Sequence, residues 1–219
     1  MAETADKRRY GAPIRITIFG ATGGTGRELM RQALQAGHEV VAFVRSPEKI
    51  GTAHERLTVV KGDVRNRADV EQALDGSAAA LSALGVSLRE PPVVADGVRN
   101  IVLAMRKTGV RRLVVESAYG AGETRYGAYA RLLWFVIPSF MKDKEIAEDF
   151  LLQQRDIEWV VVRPVRLTNG SRTGTYRTGT EVSVRGLNPT VSRADVAEFM
   201  LRQLTDDAYL HQLPTVTYY

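Results

Sequence analysis

The sequence predicts a single α/β domain in which a doubly wound parallel sheet carries helices on both faces. Short apolar segments alternate with amphipathic segments along almost the whole chain, which is the pattern of strand–helix–strand crossovers. The strands are continuous apolar runs, as expected of a parallel sheet buried on both faces. The 219 residues fit one medium-sized domain, and neither a repeat nor a low-complexity linker divides them.

The first unit of this pattern is a strand at 14–19 (IRITIF) that ends at Gly20. The helix expected at 24–36 has leucine, methionine and alanine on one stripe and is closed by Gly37. A second strand follows at 39–44 (EVVAFV), where every residue after the first is apolar. These elements make one strand–helix–strand unit.

Four further strands and four further helices continue the alternation. The strands are short apolar runs, and the helices repeat apolar residues at a spacing of three and four. We expect strands at 57–60, 78–84, 111–116 and 158–162, and helices at 68–74, 93–108, 143–154 and 192–204, the last with Ser192 as N-cap.

The first thirteen residues differ in character from the rest. Residues 1–13 are small, polar and charged with no apolar h-region, so we expect a flexible tail before a domain at 14–219, and neither a signal peptide nor an anchor. The most apolar stretch elsewhere, 132–141, is too short to cross a bilayer and contains Pro138. No membrane partner is expected, and the location expected is the cytoplasm.

Composition excludes several classes of protein. The absence of cysteine excludes disulfide scaffolds, iron–sulfur clusters and thiol nucleophiles, and it agrees with a reducing compartment. His38, His54 and His211 show no metal-ligand spacing, so no metal site is expected. The net charge is +5, but the arginines are scattered among acidic residues. Nucleic acid is therefore not predicted as a partner.

The sequence GATGGTG at 20–26 lies between the first predicted strand and the first predicted helix. At that place Gly20 permits a tight turn, Gly23 lets the backbone approach a pyrophosphate, and Gly26 lets the helix pack closely on the sheet. The helix begins at Gly24, so its free N–H groups would face the phosphates, with hydroxyl donors from Thr22 and Thr25. The alternative is a glycine-rich turn without a ligand.

The end of the second predicted strand indicates which cofactor is bound. An NAD site has a carboxylate there for the ribose 2′-hydroxyl, whereas this strand ends in Arg45 and Ser46, with Lys49 close behind. A guanidinium forms two charge-assisted bonds with a phosphate. The sequence therefore predicts NADP(H) rather than NAD(H), with a solvated surface arginine as the alternative.

The chain resembles the atypical short-chain dehydrogenase/reductases, in the branch that holds biliverdin-IXβ reductase (flavin reductase) and NmrA-like NAD(P)-binding proteins. The resemblance extends over nearly the whole chain after residue 13, in the family's order, and implies a Rossmann-like fold. The matching segments are ITIFGATGGTG, VRSPEK, KGDV, SALG, GVRNIVLAM, GVRRLVVESA, KEIAEDFL and EWVVVRP.

The resemblance also implies roles for residues that follow the predicted strands, where open α/β sheets bind their ligands. The implied positions are Asp63 and Val64 at the adenine, Leu84 and Gly85 at the ribose and pyrophosphate, Ser117 and Ala118 at the nicotinamide, and Pro164, Val165 and Arg166 at the nicotinamide and substrate. Three alternatives stay open: Asp63 caps a turn, Ser117 bonds backbone, and Arg166 is a solvated charge.

The main subfamilies of these enzymes use a Tyr-xxx-Lys pair, in which the lysine lowers the pKa of the tyrosine. Here Lys144 has Phe140 four residues before it, while Tyr126 and Tyr129 have no lysine four residues on. The pair is absent, and Ser117 alone remains to orient a substrate or a water. Lys144 would donate to the nicotinamide ribose or, alternatively, lie exposed on a helix.

The segment at 119–140 is the expected substrate region, because it contains several glycines that allow it to bend and it ends in an apolar aromatic run. Such a segment suits a lid over a flat substrate, with Trp134 and Phe140 as contacts and Tyr119 facing the same pocket. The alternative is that the run packs on the core or on another subunit.

These observations favour an NADP(H)-dependent reductase of a small aromatic or conjugated acceptor such as a flavin, quinone or tetrapyrrole. Hydride transfer to such acceptors needs no dedicated protein acid, since solvent supplies the proton. Two alternatives remain: a non-catalytic NADP(H)-sensing regulator, and a biosynthetic tailoring reductase or isomerase. A monomer or small homo-oligomer is expected.

Overall fold

The computed structural model describes residues 12–85, 91–184, 186 and 188–218. The expected tail at 1–13 falls outside the described residues except for its last two positions. The strands are β1 (Arg15–Phe19), β2 (Glu39–Val44), β3 (Leu57–Lys61), β4 (Ala79–Ser82), β5 (Arg112–Glu116), β6 (Glu158–Pro164), β7 (Arg166–Thr168), β8 (Arg177–Gly179), β9 (Thr190–Ser192) and β10 (Thr215–Thr217). The α-helices are α1 (Gly24–Gln35), α2 (Arg67–Leu74), α3 (Val94–Thr108), α4 (Ala128–Val136), α5 (Pro138–Leu152) and α6 (Arg193–Arg202).

The main sheet has the order β3-β2-β1-β4-β5-β6-β10-β8. Its first seven strands are parallel, β8 is antiparallel to β10, and β7 pairs with β9 in a separate small sheet. The strand order reverses between β1 and β4, and a crevice at such a point is where open α/β sheets bind ligands. The predicted doubly wound α/β fold is confirmed.

The sheet separates two apolar cores, because successive strand residues point to opposite faces. Ile16 and Ile18 belong to the core that contains α1 and α6. Phe19 and the fully buried Trp159 belong to the other core, which contains α2, α3 and α5. Both faces of the central strands are therefore buried, which explains their continuous apolar sequence.

The predicted strands and most predicted helices agree with the structure to within a few residues at their ends. Helix α6 begins after Ser192 as expected, and the Ser192 hydroxyl accepts a hydrogen bond from the backbone N–H of Asp195 at 3.0 Å. Strand β4 ends at Ser82 rather than at residue 84, and Leu84 lies at the crevice beyond it.

The helix predicted at 143–154 is wrong at its start, since α5 begins at Pro138. Proline suits the first position of a helix because its fixed φ matches and its missing N–H has no intrahelical partner there. The region predicted as a jointed loop also contains a helix, α4, before that proline. Strands β7 to β10 were not predicted, because three residues are too few to show a period of two.

Candidate cofactor and substrate site

A cavity of about 610 Å³ opens above the carboxyl ends of the parallel strands. It extends from the loop between β1 and α1, past the ends of β2 to β6, to α4 and α5. The predicted site residues that line it are Gly20, Thr22, Gly23, Gly24, Thr25, Arg45, Asp63, Val64, Leu84, Gly85, Ser117, Ala118, Phe140, Lys144, Pro164, Val165 and Arg166. Those that do not are Gly26, Ser46, Lys49, Tyr119 and Trp134.

The glycine loop has the geometry of a phosphate cradle. Gly20 has a φ of 78°, and a Cβ there would collide with the carbonyl of Ala83. A Cβ on Gly26 would collide with the backbone oxygen of Gly20, so Gly26 serves the close packing of α1 on the sheet rather than the cavity itself. The N-cap of α1, Gly23, has no side chain, so the first-turn N–H groups face the cavity uncapped. These features fit a pyrophosphate.

The end of β2 contributes one cation to the cavity rather than two. Arg45 lines it, whereas Ser46 and Lys49 do not. Lys49 ends a 3₁₀ turn, Pro47–Lys49, and its carbonyl accepts a hydrogen bond from Arg27 at 3.0 Å. The structure therefore places Lys49 outside the cavity lining, whereas Arg45 belongs to it.

Arg193 is a cavity residue that the sequence did not reveal. Its side chain lies over Gly24, where a Cβ would collide with it, and its Nη1 donates to Asn169 Oδ1 at 2.7 Å. The guanidinium is thereby held above the phosphate cradle. The two residues are far apart in the chain, and the N-cap at Ser192 was the only sequence signal near Arg193.

Asp63 fixes a turn, as one of the alternatives expected, and it also lines the cavity. Its Oδ1 accepts a hydrogen bond from the backbone N–H of Arg65 at 2.9 Å and so fixes the turn before α2. Asp63 also lines the cavity at the end of β3. The N-cap of α2 is Asn66, whose Oδ1 accepts from the backbone N–H of Ala68 at 3.1 Å.

Ser117 is bound to a buried carboxylate, so the alternative in which its hydroxyl bonds backbone is wrong. Its Oγ donates to Glu148 Oε1 at 2.5 Å. Arg163 binds the same carboxylate through Nε at 3.2 Å and Nη2 at 2.8 Å, and it reaches Glu123 at 3.0 Å. Because its proton is donated to Glu148, Ser117 presents lone pairs rather than a donor to the cavity.

Lys144 lies inside the site and is 7% exposed, so the alternative of an exposed lysine is wrong. Its Nζ donates to the backbone oxygen of Glu116 at 3.3 Å. Burial lowers the pKa of Lys144, while Glu116, Glu148 and Asp143 act in the opposite direction. Lys144 lines the cavity, so an N–H that is not donated to Glu116 is available to a ligand there.

Glu116 is a second cavity residue that the sequence did not reveal. Its Oε1 accepts a hydrogen bond from Thr25 Oγ1 at 3.0 Å. Burial raises the pKa of Glu116, and Lys144, Thr25 and Arg193 oppose that rise. A carboxyl group therefore lies beside the phosphate cradle in an environment that favours its neutral form.

The far end of the cavity is apolar and is formed by α4 and the start of α5. Its lining there consists of Tyr129, Leu133, Ile137, Phe140 and Met141. The residues of α4 that lie on its opposite face point outward: Phe135 is 86% exposed and Val136 is 63% exposed. The predicted aromatic run is thus divided between the cavity and the surface, and these two residues do not pack on the core.

Two predicted substrate-side residues lie outside the cavity. Trp134 donates from its Nε1 to the carbonyl of Gly120 at 2.8 Å, and the guanidinium of Arg125 lies 4.9 Å from its ring centroid. Tyr119 stacks on Tyr129 with ring centroids 6.3 Å apart. The helical period of α4 explains why Trp134 does not line the cavity, because it turns positions 129 and 133 toward the cavity and position 134 to the side. The cavity takes Tyr129 in place of Tyr119.

The described residues contain no cluster of histidine and acidic side chains that could hold a metal ion. Within the same described ranges, no helix is both long and apolar enough to cross a bilayer.

Residues 20–207 match a family model described as NAD(P)H-binding. The chain therefore belongs to this NAD(P)H-binding family, which agrees with the expected resemblance to NAD(P)-binding proteins.

Curated relatives and solved structures agree with this assignment. Reductase pytE of Aspergillus terreus is 25% identical over 93% of this chain and 97% of its own. The photosystem II assembly factor Ycf39 of Synechocystis is 26% identical over 89% of this chain but only 60% of its own. Among solved structures, the anaerobillin reductase ChuY of Escherichia coli O157:H7 is 22% identical with a TM-score of 0.77, covering 93% of this chain and 97% of its own. The oxidoreductase ylbE of Lactococcus lactis is 19% identical with a TM-score of 0.79, covering 94% of this chain and 91% of its own. At these identities the two structures support the fold alone.

Proposed function

We propose that this protein is a cytoplasmic NADP(H)-dependent reductase of a planar conjugated acceptor. The observation that carries the proposal is the continuity of the cavity, which joins the phosphate cradle and Arg45 to an apolar end without a break. One end suits a dinucleotide and the other a flat apolar molecule. The name of the relative pytE, a reductase, agrees with this reaction class.

The residues of the cavity have distinct roles in this proposal. The first-turn N–H groups of α1 and the guanidinium of Arg193 bind the pyrophosphate, and Lys144 binds the nicotinamide ribose. Ser117 accepts a hydrogen bond from the carboxamide, since its own proton is donated to Glu148. The nicotinamide supplies a hydride when bound, and the apolar end holds the acceptor against it and excludes water.

The choice of NADP(H) over NAD(H) is the finer part of the proposal, and Arg45 supports it. We expect the wild type to bind NADPH at least about tenfold more tightly than NADH, because a charge-assisted bond to the 2′-phosphate contributes about 1.5–3 kcal/mol. Arg45→Asp should remove that preference. Lys49→Asp is the matched control, since it makes the same change of charge outside the cavity lining. Equal affinities of the wild type for both cofactors would contradict the preference.

The reductase function is tested by following the oxidation of NADPH with FMN, a quinone and biliverdin as acceptors. Turnover with at least one conjugated acceptor, and slower turnover with NADH, is the expected result. Tight binding of NADPH without turnover across the panel would reject the reductase.

A non-catalytic NADP(H) sensor is the second candidate, and one observation favours it. Phe140 lies in the cavity four residues before Lys144, where the main subfamilies have their catalytic tyrosine. A chain that binds the cofactor without that hydroxyl suits a sensor. The acceptor panel separates the two candidates, because a sensor binds NADPH and leaves it unoxidised.

A further inference from the structure

Tyr129 holds a phenol in the cavity although it does not belong to a Tyr-xxx-Lys pair. The residue lies in the first turn of α4, lines the cavity and is 7% exposed. Its ring stacks on Tyr119 with an interplanar angle of 25°. The backbone N–H of Tyr119 donates to the carbonyl of Pro164 at 2.9 Å, so the stacked pair is joined to the end of β6, directly before Val165 and Arg166.

The Tyr129 hydroxyl is not committed to a protein partner. In the part of the chain that the structure describes, this hydroxyl makes no hydrogen bond. It is also not one of the fully buried polar atoms without a partner, so it reaches the cavity. Burial raises the pKa of Tyr129 to about 12, and the positive charge of Arg166 acts in the opposite direction. The phenol is therefore protonated at neutral pH and has a cation nearby.

Other polar side chains around the cavity already make hydrogen bonds within the protein. The Ser117 proton is donated to Glu148, and Lys144 donates one N–H to the backbone oxygen of Glu116 while its other donors are assigned to the ribose. Glu116 lies beside Thr25 at the phosphate cradle, away from the apolar end. Phe140 carries no exchangeable proton. Tyr129 is thus the side chain that brings a protonated, uncommitted oxygen to the apolar end among the described lining residues.

We propose that Tyr129 donates the proton that the acceptor takes up together with the hydride, and that Arg166 stabilises the phenolate left behind. The inference rests on the proposed reductase function and names its acceptor as a conjugated system that ends in a carbonyl oxygen or an imine nitrogen. The hydride adds to carbon, the Tyr129 O–H bond breaks, and its proton passes to the oxygen or nitrogen. Water at the cavity mouth then returns a proton to the phenolate. One NADPH and one proton are consumed for each acceptor reduced.

In a Tyr-xxx-Lys pair the cation lies on the same helix as the tyrosine, whereas here the proposed cation, Arg166, lies on a strand. A search for lysine four residues after a tyrosine finds Leu133 after Tyr129 and rejects it. In the folded chain Arg166, the first residue of β7, lines the same cavity as Tyr129 and supplies the positive charge that acts on it. The cation partner of a tyrosine is set by distance in space, because electrostatic stabilisation depends on separation and not on sequence spacing.

The test compares Tyr129→Phe with Tyr126→Phe, a matched control whose ring is 82% exposed on the surface. General acid catalysis contributes about 10²–10⁴-fold, so we expect Tyr129→Phe to lower kcat at least tenfold while the Kd for NADPH and the Tm stay unchanged. Tyr126→Phe should leave all three unchanged. The solvent deuterium isotope effect on kcat should change in Tyr129→Phe alone, which a merely structural role would not cause.

The outcomes separate this inference from the proposed function. If the wild type reduces an acceptor and Tyr129→Phe retains its kcat within about twofold, the proton donor is wrong and the reductase stands. If the wild type reduces none of the acceptors, both are wrong. Should Tyr129→Phe fold poorly, Arg166→Met provides the second variant: a lowered kcat supports the pair, and an unchanged kcat overturns the role of Arg166.

Discussion

At the scale of single residues, the site is governed by which polar groups are already paired inside the protein. Ser117 and Lys144 were predicted from their positions, but their chemistry follows from Glu148 and Glu116, which hold the serine proton and the lysine ammonium. A hydroxyl bonded to a carboxylate accepts rather than donates in its remaining contacts. Residue type alone does not specify this, because the partners come from other elements.

Arg193 gives a direct prediction for cofactor binding. Its guanidinium lies over Gly24 at the phosphate cradle, so Arg193→Met removes one charge-assisted contact with the pyrophosphate. We expect the Kd for NADPH to rise about tenfold or more. Arg31→Met is the matched control, because Arg31 pairs with Glu28 on the exposed face of α1. Similar affinities of the two variants, measured by fluorescence titration, would show that Arg193 does not contact the cofactor.

Glu116 gives a prediction about pH. Burial raises its pKa in the folded chain, so the folded protein keeps a proton that the unfolded chain loses at the ordinary carboxyl pKa of about 4.3. As pH rises above that value the unfolded chain binds fewer protons, and Glu116 reduces the free energy of unfolding increasingly. Glu116→Gln cannot ionise and should flatten this decline. Urea denaturation between pH 5 and pH 8 measures it, and parallel curves for the two proteins would contradict the raised pKa.

At the scale of elements, a buried ion pair joins α5 to β6 behind Ser117. Glu148 and Arg163 are each 3% exposed in their side chains and are bonded through both carboxylate oxygens. Removing one partner leaves an unpaired buried charge, so we expect Arg163→Met to lower the free energy of unfolding by about 3–5 kcal/mol.

The matched control for that substitution is Arg106→Met, which breaks the solvent-exposed pair with Asp156. Exposed pairs contribute little, so its effect on urea denaturation should be much smaller. The double variant Arg163→Met with Glu148→Gln should recover part of the loss, because the carboxylate is then gone as well. Equal losses in the buried and exposed cases would mean that the buried pair is not desolvated.

The elements that the sequence predicted well are those whose local signals agree with their packing. Strand β1, the glycine loop and α1 combine an apolar run, a turn glycine and an amphipathic stripe, and all were predicted close to their observed places. Helix α4 was missed because its outward face carries Leu132, Phe135 and Val136, which removes the polar side that marks an amphipathic helix. Arg193 and Glu116 were missed because their partners lie far away in the chain.

At the scale of the whole molecule, part of the positive charge has a defined place. Arg45, Lys144, Arg166 and Arg193 line the cavity, and the lining acids in the described chain are Asp63 and Glu116. A cleft of mostly one sign of charge concentrates ligands of the opposite sign, and a dinucleotide phosphate is such a ligand. Part of the net charge of +5 therefore lies in the cavity, where the proposed dinucleotide would bring its phosphates.

The stability of the whole domain should depend on pH through His38, which is fully buried where α1 leads into β2. Its Nδ1 accepts a hydrogen bond from the backbone N–H of Ile14 at 3.1 Å, and its buried Nε2 has no partner in the described chain, so protonation would bury an unpaired charge. Burial accordingly lowers the pKa of His38. Below the ordinary histidine pKa of about 6.5 the unfolded chain takes up a proton that the folded chain does not, so the free energy of unfolding falls as pH falls through that value.

His38→Asn keeps an acceptor for Ile14 without titrating and should flatten the fall between pH 7 and pH 5, whereas His54→Asn, at an exposed position, should leave it unchanged. Thermal unfolding across this range checks both, and an identical acid-side fall in the wild type and His38→Asn would show that His38 is not the group responsible.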